Sequence, residues 1–424
     1  MSTEPVRSEA LSDFALDTSK KDLKAVVADF RVRMKSGDLG SLPAILAICV
    51  LVAVFGSTRR SSFVTAQNLA NFFEQAAAVI VIAMAVSFVL LLGEIDLAAG
   101  YTAGVAAAVL AIRLKEGWGL PAAIVLSALV AIALGLWTGV LVAKLGIPSF
   151  VVTLANFLVF QGILLILVKE GGSVRIDNDI IKGIVGNNLS PTMSWVVAVV
   201  GLLAFCFGQV HKRRRSDGVI AAGIVVARIA FATVVVVALV LILNRNRAFA
   251  TANSEIRGMP YVIPLVLIIM LALTFMLDRT RYGRHLMAVG GNQEAARRAG
   301  INVVRVRLSA FAGCGLLAGV GGAFLASRVN SIDPNTGGND TLLLAVGAAV
   351  IGGTSLFGGQ GRMLNAVLGG LVLALIPNGL GLVGEASPLG IDIDFGSSGV
   401  KFICAGLALL LAASVDALSR KRTA

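Results

Sequence analysis

Apolar residues along this chain fall in unbroken runs rather than in alternating or helical stripes. The runs lie at about 42–57, 76–92, 99–112, 121–143, 149–168, 193–210, 219–243, 260–277, 308–326, 341–357, 363–383 and 400–417. A helix needs about 20 apolar residues to cross the hydrocarbon core of a bilayer, so the longer runs predict full spans. The shorter ones predict half-helices or re-entrant pieces, tolerated at membrane depth only where protein or a water-filled cavity satisfies the backbone. The expected fold class is an all-α polytopic membrane protein with about 10–12 transmembrane or half-membrane helices. No secretory signal precedes the first run, because residues 1–40 are polar and no small-residue cleavage pattern follows Leu42 directly.

Charge orients the spans. An even number of them puts both termini on one side. With the N-terminus inside, the cytoplasmic set (1–41, 143–149, 211–218, 278–307, 358–362 and 418–424) holds 23 Lys and Arg, and the opposite set holds 11. Positive-inside therefore places both termini in the cytoplasm. In the N-terminal tail Leu23, Val26, Val27, Phe30 and Met34 recur at helical spacing among Lys20, Lys21, Lys24, Arg31 and Arg33. This predicts a basic amphipathic helix on the inner membrane surface. The domains expected are a cytoplasmic tail over 1–40, a transmembrane domain over 41–417 containing the cytoplasmic loop 278–307, and a cytoplasmic tail over 418–424. The outer loops 169–192, 244–259 and 327–340, rich in Gly, Asn, Asp and Ser, offer a vestibule or docking surface.

Composition agrees. Of 424 residues 57% are hydrophobic and 14% charged, against about 45–50% and about 25% in a soluble chain. The mean hydropathy is +0.88. The net charge of +12 belongs to cytoplasmic loops rather than to a nucleic-acid surface, so no nucleic-acid partner is expected. Cys49, Cys206, Cys314 and Cys404 each sit in an apolar run without a CxxC partner, and His211 and His285 are the only histidines. No metal site is expected. The chain has no P-loop, no HExxH and no GxSxG, so it carries neither its own nucleotide site nor an enzyme's catalytic set. Gly313-Cys-Gly315-Leu-Leu-Ala318 matches a dinucleotide fingerprint but lies inside an apolar run, where Gly315 and Gly319, like Gly135 and Gly139, suit close helix packing.

Three stretches carry the remaining chemistry. In GEIDLAAG (93–100), Glu94 and Asp96 stand between two apolar runs. Carboxylates at that depth must pair, cap a helix or face water; Asp96 either caps the helix beginning near Leu97 or serves a proton or substrate relay. In the loop 278–307, Asn292 is a good N-cap, Glu294 suits a first turn, Arg297 and Arg298 a last turn, and Gly300 a C-terminal stop. The small side chains of Ala295, Ala296 and Ala299 permit close approach. This reads as a short docking helix for a soluble partner, or else as a plain surface loop. In the third stretch Gly352, Gly353, Gly358 and Gly359 with Thr354 and Ser355 break a helix, forming either a pathway-lining turn or a cytoplasmic hairpin.

GEIDLAAG (93–100), RYGRHLMAVGGNQEAARRAGINV (281–303), LAVGAAVIGGTSLFGGQGR (344–362) and GVLVAKLGIPSFVVTLANF (139–157) together resemble the permease subunit of binding-protein-dependent ABC sugar importers of the ribose/xylose/arabinose type. The similarity spans about 65–417. The Arg-rich insertion at His211–Asp217 and the chain length resemble the xylose permeases within that family. Glu94 and Ala98-Ala99 stand where the family more often has Gly and Ser-Val. The resemblance implies a multi-pass protein of the bacterial plasma (inner) membrane, working as a homodimer among membrane lipid. Its implied partners are a separate ABC ATPase subunit, which uses ATP and Mg, and an extracytoplasmic sugar-binding protein. This chain itself is expected to bind no cofactor. Gly291, Asn292, Glu294, Ala295, Ala296, Arg297 and Gly300 then form the ATPase-coupling helix. A neutral polyol calls for amides and hydroxyls along the pathway, and the candidates are Asn71, Gln75, Thr153, Asn156, Gln161, Asn365 and Asn378. The alternative is a proton- or sodium-coupled secondary transporter using Glu94, Asp96 and Arg228.

Overall fold

The computed structural model describes residues 40–215, 221–248, 255–386 and 393–421. The amphipathic tail expected over 1–40 lies outside them except for Gly40. Each of the twelve apolar runs forms a helix. In chain order the helices are α1 (Leu42–Thr58), α2 (Arg60–Phe63), α3 (Ala66–Leu90), α4 (Ala99–Lys115), α5 (Leu120–Ala143) and α6 (Ser149–Val168). Next come β1 (Val174–Arg175), α7 (Asp179–Gly186), α8 (Pro191–Arg215), α9 (Ala222–Leu243) and α10 (Val262–Arg279). The cytoplasmic loop holds α11 (Arg281–Gly291) and α12 (Gln293–Arg298). Beyond it lie α13 (Val303–Val329), β2 (Ser331–Ile332), α14 (Asn339–Ile351) and α15 (Met363–Val383). A short pair, β3 (Glu385–Ala386) with β4 (Ile393–Asp394), precedes α16 (Ser398–Lys421).

Among the described residues eight helices are long and apolar enough to cross a membrane, and Leu42–Thr58, Asp340–Ile351 and Ser398–Leu411 are shorter apolar stretches. Three boundaries differ from the sequence reading. α3 begins ten residues before its apolar run, because Thr65 accepts the Asn68 N–H (3.1 Å) as N-cap. α8 continues through Arg215, so Lys212–Arg215 end a helix instead of forming a loop. The run 341–357 splits, with α14 stopping at Ile351.

α3 is the axis of the molecule. Its apolar window is 83% buried, whereas those of α8 and α9 are 11% and 17% buried, so the latter pair forms the lipid-facing periphery. Its alanine-rich middle lets α13, α14 and α15 close around it. The two small-residue pairs face each other: a Cβ on Gly315 would overlap Ala131 O and lie 3.1 Å from Gly135 Cα. That close approach makes α5 and α13 a tightly packed pair. The dinucleotide-like string is therefore mid-helix packing.

Two helices start partway along the bundle. α13 rises about 1.5 Å per residue from its cytoplasmic end, which puts Cys314 about 17 Å up. The Cys314 thiol lies against Asp96 (3.5 Å), so the chain climbs in non-helical form from Leu91 to Ala98 before α4 begins near mid-depth. α14, at 13 residues, is about 20 Å long and cannot cross. Its N-terminal approach touches α4, since Cβ atoms on Gly100 and Gly104 would overlap Gly337 O and Thr336 O. From this meeting point α4 runs outward and α14 runs toward the cytoplasm. Discontinuous helices that present their N-termini near the midplane are a transporter architecture.

Candidate functional site

The cytoplasmic end is built by local rules. Asn292 holds an extended conformation and its side chain accepts the Ala295 N–H (2.9 Å), starting α12. Glu294 in the first turn reaches Arg297 (3.4 Å) and Arg298 (3.3 Å). The helix closes with Ile301 N–H on Ala296 O (3.0 Å) and Gly300 N–H on Arg297 O (3.0 Å), with Gly300 at φ +81. That is a Schellman stop, which a glycine accommodates without strain. Asn302 caps α13 in the same way, through the Arg305 N–H (3.0 Å). α12 is thus a six-residue helix fixed at both ends. Gly291, Asn292, Glu294, Ala295, Arg297, Ala299 and Gly300 are all exposed.

Ala296 requires a correction. It is 4% exposed and belongs to the protein's own core with Val303 and Val306, so it anchors α12 and offers no surface for close approach. In so short a helix tertiary contact, not sequence, decides which alanine turns inward. Around α12 the exposed Arg279, Arg281, Arg284, Arg298 and Arg305 make a basic apron. Tyr282 is tucked beneath it; burial pushes its phenol up, and it hydrogen-bonds Ser309.

Three glycine segments meet behind this helix. A Cβ on Gly290 would overlap Leu91 O and lie 2.8 Å from Gly359 N. On Gly358 it would lie 2.6 Å from Gly93 N and 2.7 Å from Gly290 O. The Gly359 N–H donates to Leu91 O (2.9 Å). Gly353, Gly358 and Gly359 have φ of +100, +84 and +73, conformations that side chains rarely adopt. A Cβ on Gly352 would overlap Asn365 O, joining the start of α15 to the end of α14. Residues 352–362 are therefore a hairpin between α14 and α15, packed against the loop that the charge count assigns to the cytoplasm, and one of the two possibilities the sequence left open. Backbone touches backbone here, so a displacement of α11 is passed to the 91–98 segment with little slack.

That segment carries the two carboxylates. Glu94 pairs with Arg307 at the base of α13, both side chains mostly buried. Asp96 is 3% exposed and accepts the Ala98 N–H (2.9 Å), in the turn that launches α4. Ile95 is held on both sides, its N–H by Ser149 Oγ (3.3 Å) and its carbonyl by Thr153 Oγ1 (3.2 Å). Asp96→Asn keeps an acceptor for Ala98 and is expected to retain membrane yield and most uptake. Asp96→Leu should lower folded yield, since it orphans a buried N–H at about 1–3 kcal/mol. A relay predicts the opposite ordering, with the Asn variant well folded and inactive; yield and uptake measured together separate the two.

On the outer half a cavity of about 580 Å³ is lined by Asn68, Asn71 and Gln75 of α3, Leu325 and Arg328 of α13, Asn378 of α15 and Lys401 of α16, among others. Pro377 also lines it and lacks the N–H that would bond Leu373 O, so it loosens α15 there. Asn68 and Asn378 exchange amide hydrogen bonds (3.1 and 3.0 Å). Asn71 and Gln75 have no hydrogen-bond partner among the described residues. The other pathway candidates are elsewhere. Asn156 donates to Thr138 Oγ1 (2.9 Å) and accepts from Trp137 Nε1 (3.3 Å), tying α6 to α5. Gln161 bonds Tyr101, and Thr153 supports Ile95. Asn365 is buried beside the hairpin. Arg328 and Lys401 escaped the sequence reading; the one signal was an arginine two residues beyond the apolar run 308–326.

The residues of the coupled-carrier alternative do not form one site. Glu94 is spent on Arg307, Asp96 on α4, and Arg228 lies on the exposed face of α9. Among the described residues no cluster of three or more His, Cys, Asp or Glu is placed to hold a metal ion.

Comparison with known proteins bears on the same arrangement. The family described as "Branched-chain amino acid transport system / permease component" matches residues 68–412. The xylose transport system permease protein XylH of Escherichia coli (strain K12) is 33% identical over 395 residues, 92% of this chain and 95% of that protein. XylH of Haemophilus influenzae is 30% identical over 396 residues, covering 92% and 99%. The ribose import permease protein RbsC of Escherichia coli (strain K12) is 29% identical over 348 residues, covering 81% and 87%. No solved structure matches the chain.

Proposed function

This chain belongs to the branched-chain amino acid transport system / permease component family, and we propose that it is the membrane subunit of an ATP-driven importer for a monosaccharide, with a pentose such as xylose as cargo. It is a multi-pass protein of the bacterial plasma membrane and not itself an enzyme. Two copies form the pathway, a separate ATPase subunit docks on α12 of each, and an extracytoplasmic sugar-binding protein delivers cargo to the outer loops. ATP and Mg are used by the ATPase. Its closure moves α11 and α12, and the glycine junction carries that movement to the 91–98 segment and the hairpin. Asn71 and Gln75, with their amides unspent, contact the sugar on the outer half.

The observation that carries this reading is α12 itself. A six-residue helix is marginal in water without support. Here it has a cap, a stop and a buried anchor, yet presents nearly all of its surface to the cytoplasm, backed by rigid contacts that lead into the membrane. A coupled carrier needs no such element. The test is affinity purification of the full chain co-expressed with its cognate ATPase. A stable complex is expected, lost when residues 293–298 are replaced by a glycine-serine stretch. A complex that survives this replacement places docking elsewhere.

A further inference from the structure

Arg328 stands between two cavities. It lines the 580 Å³ outer cavity with Asn71, Gln75 and Lys401. It also lines a neighbouring cavity of about 410 Å³ with Glu74, Asp179, Lys182, Asn187 and Ser327. Its Nη1 is buried and has no hydrogen-bond partner among the described residues. Glu74 lines that second cavity with it and acts on its charge, but forms no ion pair with it within 4.0 Å among the described residues. A guanidinium nitrogen buried with its N–H groups unmet is costly unless something else fills them. Nothing on α3, α13 or α15 does so.

The chemistry of the outer cavity narrows what can. Among the described residues its polar lining is two cations and four amides, with no Asp or Glu; two of the amides, Asn68 and Asn378, are occupied with each other. A cationic solute is therefore disfavoured. Glu74, in the lining of the neighbouring cavity, offsets part of the Arg328 charge, which weakens any demand for an anion. What remains is a guanidinium, a planar fork of N–H donors, that lines the same cavity as two unspent amides, with a volume in the ordinary range for small-molecule sites, about 300–1,000 Å³. Adjacent hydroxyl oxygens of a sugar accept two parallel N–H bonds from such a fork, while an amide both donates to and accepts from the next hydroxyl.

We propose that Arg328, with Asn71 and Gln75 of the same cavity lining, is a sugar-holding subsite of the outer pathway that grips vicinal hydroxyls of an uncharged monosaccharide. This rests on the importer reading above and adds to it the residue that senses the cargo. Arg328 lies at the outer end of α13. The same helix carries Arg307, the partner of Glu94, at its cytoplasmic end. One continuous helix thus joins the subsite to the segment next to the glycine junction.

The test uses the full chain assembled with its cognate ATPase and binding protein in proteoliposomes, with labelled D-xylose and D-ribose as probes. Arg328→Gln is expected to lower ATP-driven uptake of the transported pentose at least ten-fold per assembled complex. Arg328→Lys, which keeps charge but loses the fork, should fall between. Should Arg328→Gln fail to assemble, Gln75→Leu decides, with an expected loss of at least five-fold at normal assembly. Wild-type rates in Arg328→Gln, or in Gln75→Leu where it is the deciding variant, overturn the subsite and leave the importer intact. Equal losses in the Lys and Gln variants overturn the fork as the gripping element. No ATP-driven pentose uptake by the wild-type complex overturns the importer reading itself, and the subsite with it.

Discussion

Replacing Gly290 by valine should abolish transport in a chain that still reaches the membrane. The new Cβ would overlap Leu91 O and press on Gly359 N at 2.8 Å. Both obstacles are backbone, so no side chain can swing away. Overpacking of this kind costs about 1–3 kcal/mol or more, and the relief available is for α11 to leave the junction. That separates the cytoplasmic helices from the 91–98 segment, while the Gly359 N–H to Leu91 O bond holds only the hairpin to that segment. The expected result is background uptake with the ATPase still bound, because α12 keeps its cap and its stop. Gly201→Val is the control: it lies on lipid-facing α8, a Cβ there meets nothing within 4 Å, and transport should be unaffected. Uptake above half of wild type in Gly290→Val would mean that the junction transmits nothing.

The second large effect separates two adjacent alanines. Ala295→Trp places a bulky ring on the exposed face of α12 and should leave membrane yield normal. It should weaken association with the ATPase at least tenfold, about 1.4 kcal/mol. Ala296→Trp forces the same ring into a site that is 4% exposed, and should reduce folded yield before docking is ever tested. Membrane yield and co-purified ATPase, measured for both variants, distinguish a docking face from an anchoring one. Equal behaviour of the two would show that α12 is not seated as the structure has it.

These two neighbours mark what the sequence can and cannot carry. Apolar runs become helices because a spanning backbone must satisfy its own hydrogen bonds, so all twelve were legible. Asn292, Glu294 and Gly300 were legible too, since caps and stops act over three or four residues. The inward turn of Ala296 was not, because packing into the core cluster that also holds Val303 and Val306 imposes it. The depth at which α4 and α14 begin was equally hidden. It follows from the climb of residues 91–98 and from the contact of Gly100 and Gly104 with Thr336 and Gly337, which are distant in the chain. The amide candidates were chosen by residue type, and only packing separates Asn71 and Gln75, which line the outer cavity, from Asn156 and Gln161, which bind neighbouring helices. Arg328 was passed over because a neutral cargo argued against charge; its place in the cavity follows from five helices closing around it.

The energy source decides the central claim. Proteoliposomes holding the full chain, its cognate ATPase and its binding protein should be loaded with labelled pentose outside and ATP within reach of the ATPase. Proton and sodium gradients are then dissipated with ionophores while ATP is held constant. Uptake should continue at an unchanged rate and stop when ATP is withdrawn. Uptake that collapses with the ion gradients and persists without ATP would contradict the importer and make this chain a coupled carrier.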